Sequence, residues 1–189
     1  MRLLKLNNSN SLEIIMAALS NTPTNKNFLN PLNFKFQIKR APNVNFFIQK
    51  VNIPSITLPN IEIPTMFVPI PVQQTHMVYG ELSLSFKIDE DLQNYFEIHN
   101  WIRALGFPSN FNEYSAIASN PVYTGDSLRS ELSLTILNAL KNPTYEFVFH
   151  DAYPVFLSEV DFDTTYDNVD YVSASVTFKY SFFDVNPVV

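Results

Sequence analysis

Apolar and polar positions alternate with a period of two through much of this chain. Phe34, Phe36 and Ile38 alternate with Lys35, Gln37 and Lys39, which predicts a half-buried strand over residues 33–39. A second strand is expected near 45–51, after turn chemistry at Ala41-Pro42-Asn43. Residues 81–89 give the clearest strand: Leu82, Leu84, Phe86 and Ile88 face one way and Ser83, Ser85, Lys87 and Asp89 the other. Leu132, Leu134 and Ile136 mark a strand over 131–137, and 145–149 alternate after a turn at Asn142-Pro143. Residues 155–162, after Pro154, read as extended, and the polar run 167–170 as a turn. The longest alternation, 171–185, sets Val172, Ala174, Val176, Phe178, Tyr180 and Phe182 against Ser173, Ser175, Thr177, Lys179, Ser181 and Phe183. A strand of that length is expected to bend or to run past the body.

The period changes to that of a helix over residues 91–105. Tyr95, Ile98, Ile102 and Leu105 form one stripe, with Trp101 beside it. Asp89, Glu90 and Asp91 place negative charge at the positive end of the helix dipole. Gly106 is expected just past the last turn, and Pro108 prevents continuation. Two shorter helical stretches are expected: 113–118 within the loop 110–125, and an amphipathic 11–19 capped by Ser11, with a flexible link over 21–27.

Residues 53–72 obey neither period. Pro54, Pro59, Pro64, Pro69 and Pro71 punctuate an otherwise apolar run. Proline donates no backbone hydrogen bond, so the run is not a central strand. It is too apolar for a free linker, and should lie extended against its own body or a neighbouring subunit.

Composition narrows the picture. The 189 residues suffice for one domain with a sizeable core. Only 16% are charged while 14% are aromatic, so apolar surface is left over for subunit interfaces. Cysteine is absent, which excludes a disulfide framework and thiolate chemistry. A net charge of −6 argues against gripping nucleic acid through a basic face, though nucleic acid can slide past an acidic wall. No apolar run approaches the roughly 20 residues of a membrane span. Arg2 and Lys5 imitate the start of a signal peptide, but Asn7, Asn8, Ser9, Asn10 and Glu13 break the apolar stretch, so no secretory signal is expected.

Catalytic patterns are missing. Gly80, Gly106 and Gly125 are the only glycines, too few for a phosphate loop or a nucleophile elbow. His76, His99 and His150 lack zinc spacing. His150 and Asp151 are adjacent, so on a strand they would point apart. Asp161, Asp163, Asp167 and Asp170 lack the glycine and bidentate glutamate of a calcium loop and read as solvated surface. Lys35, Lys39, Arg40 and Lys50 are expected to form a basic patch across two neighbouring strands, pairing with acids on another surface. No cofactor, metal site or enzymatic activity is expected.

The order of these elements resembles the tail tube protein family of contractile-tailed bacteriophages. The resemblance runs from about residue 28 to 185. Residues 34–39 and 46–51 resemble its opening strands, SITLP the turn after them, and 61–79 an extended hairpin arm. ELSLSFKIDED resembles the returning strand, NYFEIHNWIRAL the helix, DAYP an aromatic-proline element, and TFKYSFFD the closing strand. Residues 1–27 look like an addition, and Pro69 and Pro71 stand where a plain hairpin is expected.

The resemblance implies a mainly β fold, with two antiparallel sheets packed as a small barrel or sandwich and flanked by one helix. It divides the chain into an N-terminal extension, 1–27, and a β domain, 28–189, with an arm over 53–80 and the helix at 91–105. It implies hexameric rings that stack into a tail tube conducting DNA during ejection, in a virion assembled in the host cytoplasm. The implied partners are further copies of the chain, sheath, baseplate or neck proteins, and phage DNA passing without sequence-specific binding; no membrane is involved. Expected subunit-interface residues are Ile61, Ile63, Phe67, Ile70, Val72 and Tyr79 in the arm, and Phe178, Tyr180 and Phe182 in the terminal strand. The Ser/Thr faces at Ser83/Ser85 and Ser173/Ser175/Thr177 suit either a wet channel wall or an ordinary solvent face. Two alternatives stay open: a tube-end ring of the same fold, such as a baseplate tube initiator or neck terminator, and a soluble β-sandwich binding module. The module would need an exposed aromatic platform, and the one tryptophan falls in the helix.

Overall fold

The computed structural model describes residues 26–106, 111–118, 128–163, 165 and 171–188. The expectations over 11–19, 21–25, 107–110, 119–127 and 167–170 lie outside them. The chain divides into two compact units, Met1–Pro31 and Leu32–Val189, and the second carries all the elements below.

The second unit opens with β1 (Phe34–Ile38), α1 (Pro42–Phe47) and β2 (Ile48–Val51). Four short strands follow: β3 (Ile56–Thr57), β4 (Asn60–Ile63), β5 (Ile70–Gln73) and β6 (Val78–Tyr79). Then come β7 (Leu82–Lys87), the principal helix α2 (Gln93–Gly106) and α3 (Phe111–Ala118). The chain closes with β8 (Ser130–Leu137), β9 (Pro143–Leu157), β10 (Ser173–Lys179) and β11 (Phe182–Pro187).

All pairing is antiparallel, and β9 organises it. The first part of β9 lies between β8 and β11, and its last residues pair with β10. One sheet therefore runs β1-β8-β9-β11 and the other β9-β10-β7-β2, with β9 common to both. The change of sheet coincides with Asp151, whose φ of 55° lies in the left-handed region. The strand expected over 145–149 and the extended run expected after Pro154 are joined in β9, which continues through Pro154 to Leu157. Pro154 sits opposite Phe178, where the β9–β10 register already shifts, so its missing N–H disturbs an irregular part of the ladder. Pro143 is likewise the first residue of its strand, and not the turn expected there.

The two sheets share one core. Phe36, Ile38, Leu132, Leu134 and Phe149 enter it from one side, and Leu82, Leu84, Phe86, Ala174, Val176 and Phe178 from the other. Helix α2 closes it with Ile98, Trp101 and Ala104. Trp101 packs against Phe178 with the rings tilted and their centroids 5.9 Å apart, donates its Nε1–H to the Leu128 carbonyl at 2.9 Å, and carries the Arg40 guanidinium 5.4 Å from its ring.

Three local expectations change. Residues 42–47 form a helical turn where turn and strand were expected, because Pro42 occupies the first helical position, where its fixed φ helps and its missing N–H costs nothing. Val44 is buried, and the Asn45 side chain bonds both the N–H and the carbonyl of Ile38. Gly106 is the last residue of α2 and not its terminator. The buried line of α2 is centred on Asn94, Ile98, Trp101 and Ala104, one step round from the expected stripe. Asn94 is fully buried because its side chain joins two elements. Its Nδ2 donates to the Lys87 carbonyl at 2.8 Å, and its Oδ1 accepts the Asp89 N–H at 3.4 Å. The Asp89 carboxylate accepts the Asn94 N–H in return, also at 3.4 Å.

Candidate assembly surfaces

The arm is a ribbon built from its own strands. β4 pairs β5 and β3 pairs β6, and among the described residues no arm strand joins either main sheet. Proline is compatible with such a ribbon because both its strands are edges. The register sets Ile61 opposite Val72 and Ile63 opposite Ile70, with Asn60/Gln73 and Glu62/Pro71 between them. Cross-strand partners share a face, so Ile61, Ile63, Ile70 and Val72 make one apolar face. All four are 42–54% exposed.

The ribbon ends in a tight tip between Pro64 and Pro69. The Thr65 hydroxyl donates to the Val68 carbonyl and accepts the Val68 N–H at 3.3 Å. Met66 and Phe67 stand on that tip 90% exposed. At the arm's base, Tyr79 packs 6.0 Å from Tyr180 and 5.5 Å from Phe183. The Tyr180 hydroxyl donates to the Gly80 carbonyl at 2.9 Å, and the Gly80 N–H to the Ser55 carbonyl at 2.8 Å. Burial, and secondarily the neighbouring Tyr79, push the Tyr180 hydroxyl up to about 12, so it stays a donor. The approach at Gly80 is close: a Cβ would lie 2.6 Å from Ser55 Oγ and 3.1 Å from Ser55 N, so a larger residue must push Ser55 aside.

The expected terminal-strand set divides. Tyr180 joins Tyr79 at the arm base. Phe178 is a correction: it is fully buried against Trp101 and belongs to the core of its own subunit. Phe182 is 43% exposed and lies beside His150, with ring centroids 4.6 Å apart. The long strand breaks between β10 and β11, the alternation slips by one residue, and Phe183 turns inward in place of Phe182. Met66, Val68, Gly80, Asn94 and Phe183 were missed by the sequence reading. The equal spacing of Ile61/Ile63 and Ile70/Val72 about a proline-bounded tip was the available signal for the hairpin.

The sheet β9-β10-β7-β2 turns a hydroxyl face outward. Ser85 lies opposite Ser175, and Ser83 opposite Thr177. Ser158 extends the rows, accepting the Ser175 N–H at 2.9 Å. Lys179 pairs with Glu81 at 2.9 Å, and Lys87 lies over the Tyr171 ring at 4.1 Å. β2 ends this sheet on one side and the last residues of β9 on the other. The expected four-residue basic patch does not form on neighbouring strands. β1 ends one sheet, β2 ends the other, and Arg40 is buried.

The polar candidates do structural work. His150 Nε2 lies 3.1 Å from Asp184 on β11, while Asp151 accepts the Ser181 hydroxyl at 3.0 Å, so the two neighbours serve separate contacts. His99 stacks on Tyr95 with centroids 6.3 Å apart. Asp163 is exposed and accepts the Thr165 N–H and hydroxyl at 2.8 and 2.7 Å, which hold its carboxyl below the usual carboxylate range. Among the described residues no group of acids and histidines is placed to hold a metal, and no helix is long and apolar enough to cross a membrane.

The sequence model of the phage tail tube proteins matches residues 7–186. The chain belongs to the phage tail tube protein family. The match begins upstream of residue 28, where the sequence resemblance was drawn. No curated protein matches this family member in sequence. Among solved structures it is similar to a chain of the anti-feeding prophage baseplate, at 16% identity, covering 88% of this chain and 97% of that one, with a TM-score of 0.55. It is also similar to a chain of the anti-feeding prophage tube-terminating cap, at 11% identity, 92% and 100% coverage and a TM-score of 0.58. A third is a chain of the extended PVC sheath–tube complex, an extracellular contractile injection system, at 12% identity, 89% and 100% coverage and a TM-score of 0.54. At these identities the likeness is one of fold. This tail tube family member is a structural protein and not an enzyme.

Proposed function

We propose that this chain is a tail tube subunit whose hexameric rings stack into a DNA-conducting tube, with the arm gripping a neighbouring subunit. One observation carries the reading: the arm holds out an apolar ribbon face and tip that its own body does not cover. Monomeric soluble proteins rarely expose so continuous an apolar patch. Ile61, Ile63, Phe67, Ile70, Val72 and Tyr79 are the gripping residues, with Tyr180 holding the arm at its root. Phe182, exposed on the outer face of the other sheet, is a separate interface position.

The sheet β9-β10-β7-β2 is the lumen wall. Its two free edges are liabilities in a monomer, and pairing β2 of one copy with the end of β9 in the next removes both. Its outward Ser83, Ser85, Ser175 and Thr177 present neutral hydroxyls to a passing duplex. Such a wall releases few counterions and so binds DNA weakly, as a conduit requires. Sheath and baseplate or neck proteins are the outer partners, the place of action is the virion, and assembly takes place in the host cytoplasm.

A second reading, a tube-end ring of the same fold, is favoured by the similar chains in a baseplate and in a tube-terminating cap. Negative-stain microscopy of the purified protein over a concentration series, with residues 1–27 present and removed, separates the readings. Long hollow tubes support the repeated subunit, and isolated six-fold rings the tube-end protein. Monomers under every condition overturn unaided self-assembly and leave a ring that needs a partner protein to form, or the soluble binding module.

A further inference from the structure

We propose that the apolar cavity where β7 ends and α2 begins receives the arm tip of a second copy of this chain. The inference rests on the self-assembly reading above and names the contact that performs it. The cavity measures about 680 Å³; Phe47, Ile88, Leu92, Phe162, Tyr171 and Val172 give it a mainly apolar wall, and Lys87, Asp89 and Glu90 also line it. That size lies within the range of clefts that bury a ligand.

The matching knob is on the same chain. Met66 and Phe67 are 90% exposed and Val68 66% exposed. The Thr65–Val68 hydrogen bonds and the flanking Pro64 and Pro69 hold them in place before contact, so little entropy is lost on insertion. From Pro64 to Tyr79 the arm carries no Asp, Glu, Lys or Arg, so the knob itself brings no full charge to be stripped of water.

The placement of knob and cavity selects the partner. The arm returns to the body at the Leu82 end of β7, whereas Ile88, Asp89 and Leu92 line the cavity beyond its Lys87 end. A chain's own tip therefore leaves from the far end of the strand, while a copy placed head-to-tail brings its tip to the cavity. A knob and a hole on different parts of one surface make a heterologous contact, which closes a ring or propagates a stack. The tip fills only part of such an interface. Twelve large apolar side chains between Ile53 and Val78 are at least 42% exposed, so the rest of the arm can add contact alongside it. At side-chain areas implied by transfer energies the whole arm offers on the order of 800 Å², about one partner's share of a stable interface.

The absence of cysteine makes the test clean. Phe67→Cys and Val172→Cys chains are mixed, joined with a short thiol cross-linker, and compared with Phe67→Cys mixed with Leu140→Cys, an exposed turn position. Leu92→Cys is a second cavity probe should Val172→Cys fail to fold by circular dichroism. Microscopy of the same mixtures establishes whether rings or tubes form. The expected result is assembly, with cross-linking at the cavity roughly tenfold or more above the control, as proximity raises effective concentration. Assembly with cavity cross-linking no faster than the control overturns this contact and leaves the tube reading standing. Monomers with no preferential cross-link overturn both.

Discussion

β7 and the arm ribbon carry the same sequence pattern and end in opposite environments. Leu82, Leu84 and Phe86 alternate with Ser83, Ser85 and Lys87, and all three apolar residues are fully buried. Ile61 and Ile63 alternate with Asn60 and Glu62 only twenty residues earlier, yet they stay half exposed. Alternation predicts that a face will be buried. It does not say which chain buries it. β7 faces the shared core and has α1 packed against it, whereas the ribbon has only its own two edges, so its face waits for another molecule.

The largest test of that contrast removes a core side chain. Trp101→Ala, by calorimetry or denaturant unfolding, should cost about 3–5 kcal/mol, as large-to-small changes at buried aromatics do. The matching change in the arm should do the reverse. The triple variant Ile63→Asp, Phe67→Asp and Ile70→Asp should leave the body folded and its unfolding close to the parent's, since its sites lie outside the core. It should nevertheless form no stacked tubes by microscopy, and normal tubes would remove the arm from the mechanism. Asn94→Leu comes next. It leaves the Lys87 carbonyl unpaired in a buried place and should cost roughly 1–3 kcal/mol of subunit stability.

Gly80→Ala acts at the border between the two regions. The new Cβ must displace Ser55 backbone as well as its hydroxyl, so the amides joining arm to body should exchange faster with deuterium while those of β7 remain protected. The smallest effect is a pH slope. Desolvation raises the Glu97 carboxyl above 4.5 despite hydrogen bonds from Asn43 and Val44. A carboxyl with a raised folded pKa favours the native state below its unfolded pKa, and that contribution fades as pH climbs through the folded value. Glu97→Gln should therefore flatten the pH dependence of unfolding across the carboxylate range, and an unchanged slope would sink the assignment.

The body was legible because its residues obey one rule at a time. Phe36 and Ile38, or Leu132 and Leu134, alternate and are buried as expected. Prolines misled where they have two meanings. Pro42 reads as a turn residue but starts a helical turn, Pro143 reads as a turn residue but is the first residue of β9, and Pro154, read only as preceding an extended run, lies inside β9 at a shift of register. Phe178 was placed on an interface because alternation looks the same for a core and for a contact surface. The arm was found through its prolines, while its tip needed the Thr65 hydrogen bonds, which no periodicity carries.

β9 has one more consequence. Because a single backbone runs through both sheets, a force pulling on one is carried into the other along covalent bonds, with no need for side-chain packing to resist shear. A subunit so built should deform as a unit under load, and give way first where non-covalent pairing on one side alone holds, at β1, β2 and β11, the edge strands of the two main sheets among the described residues.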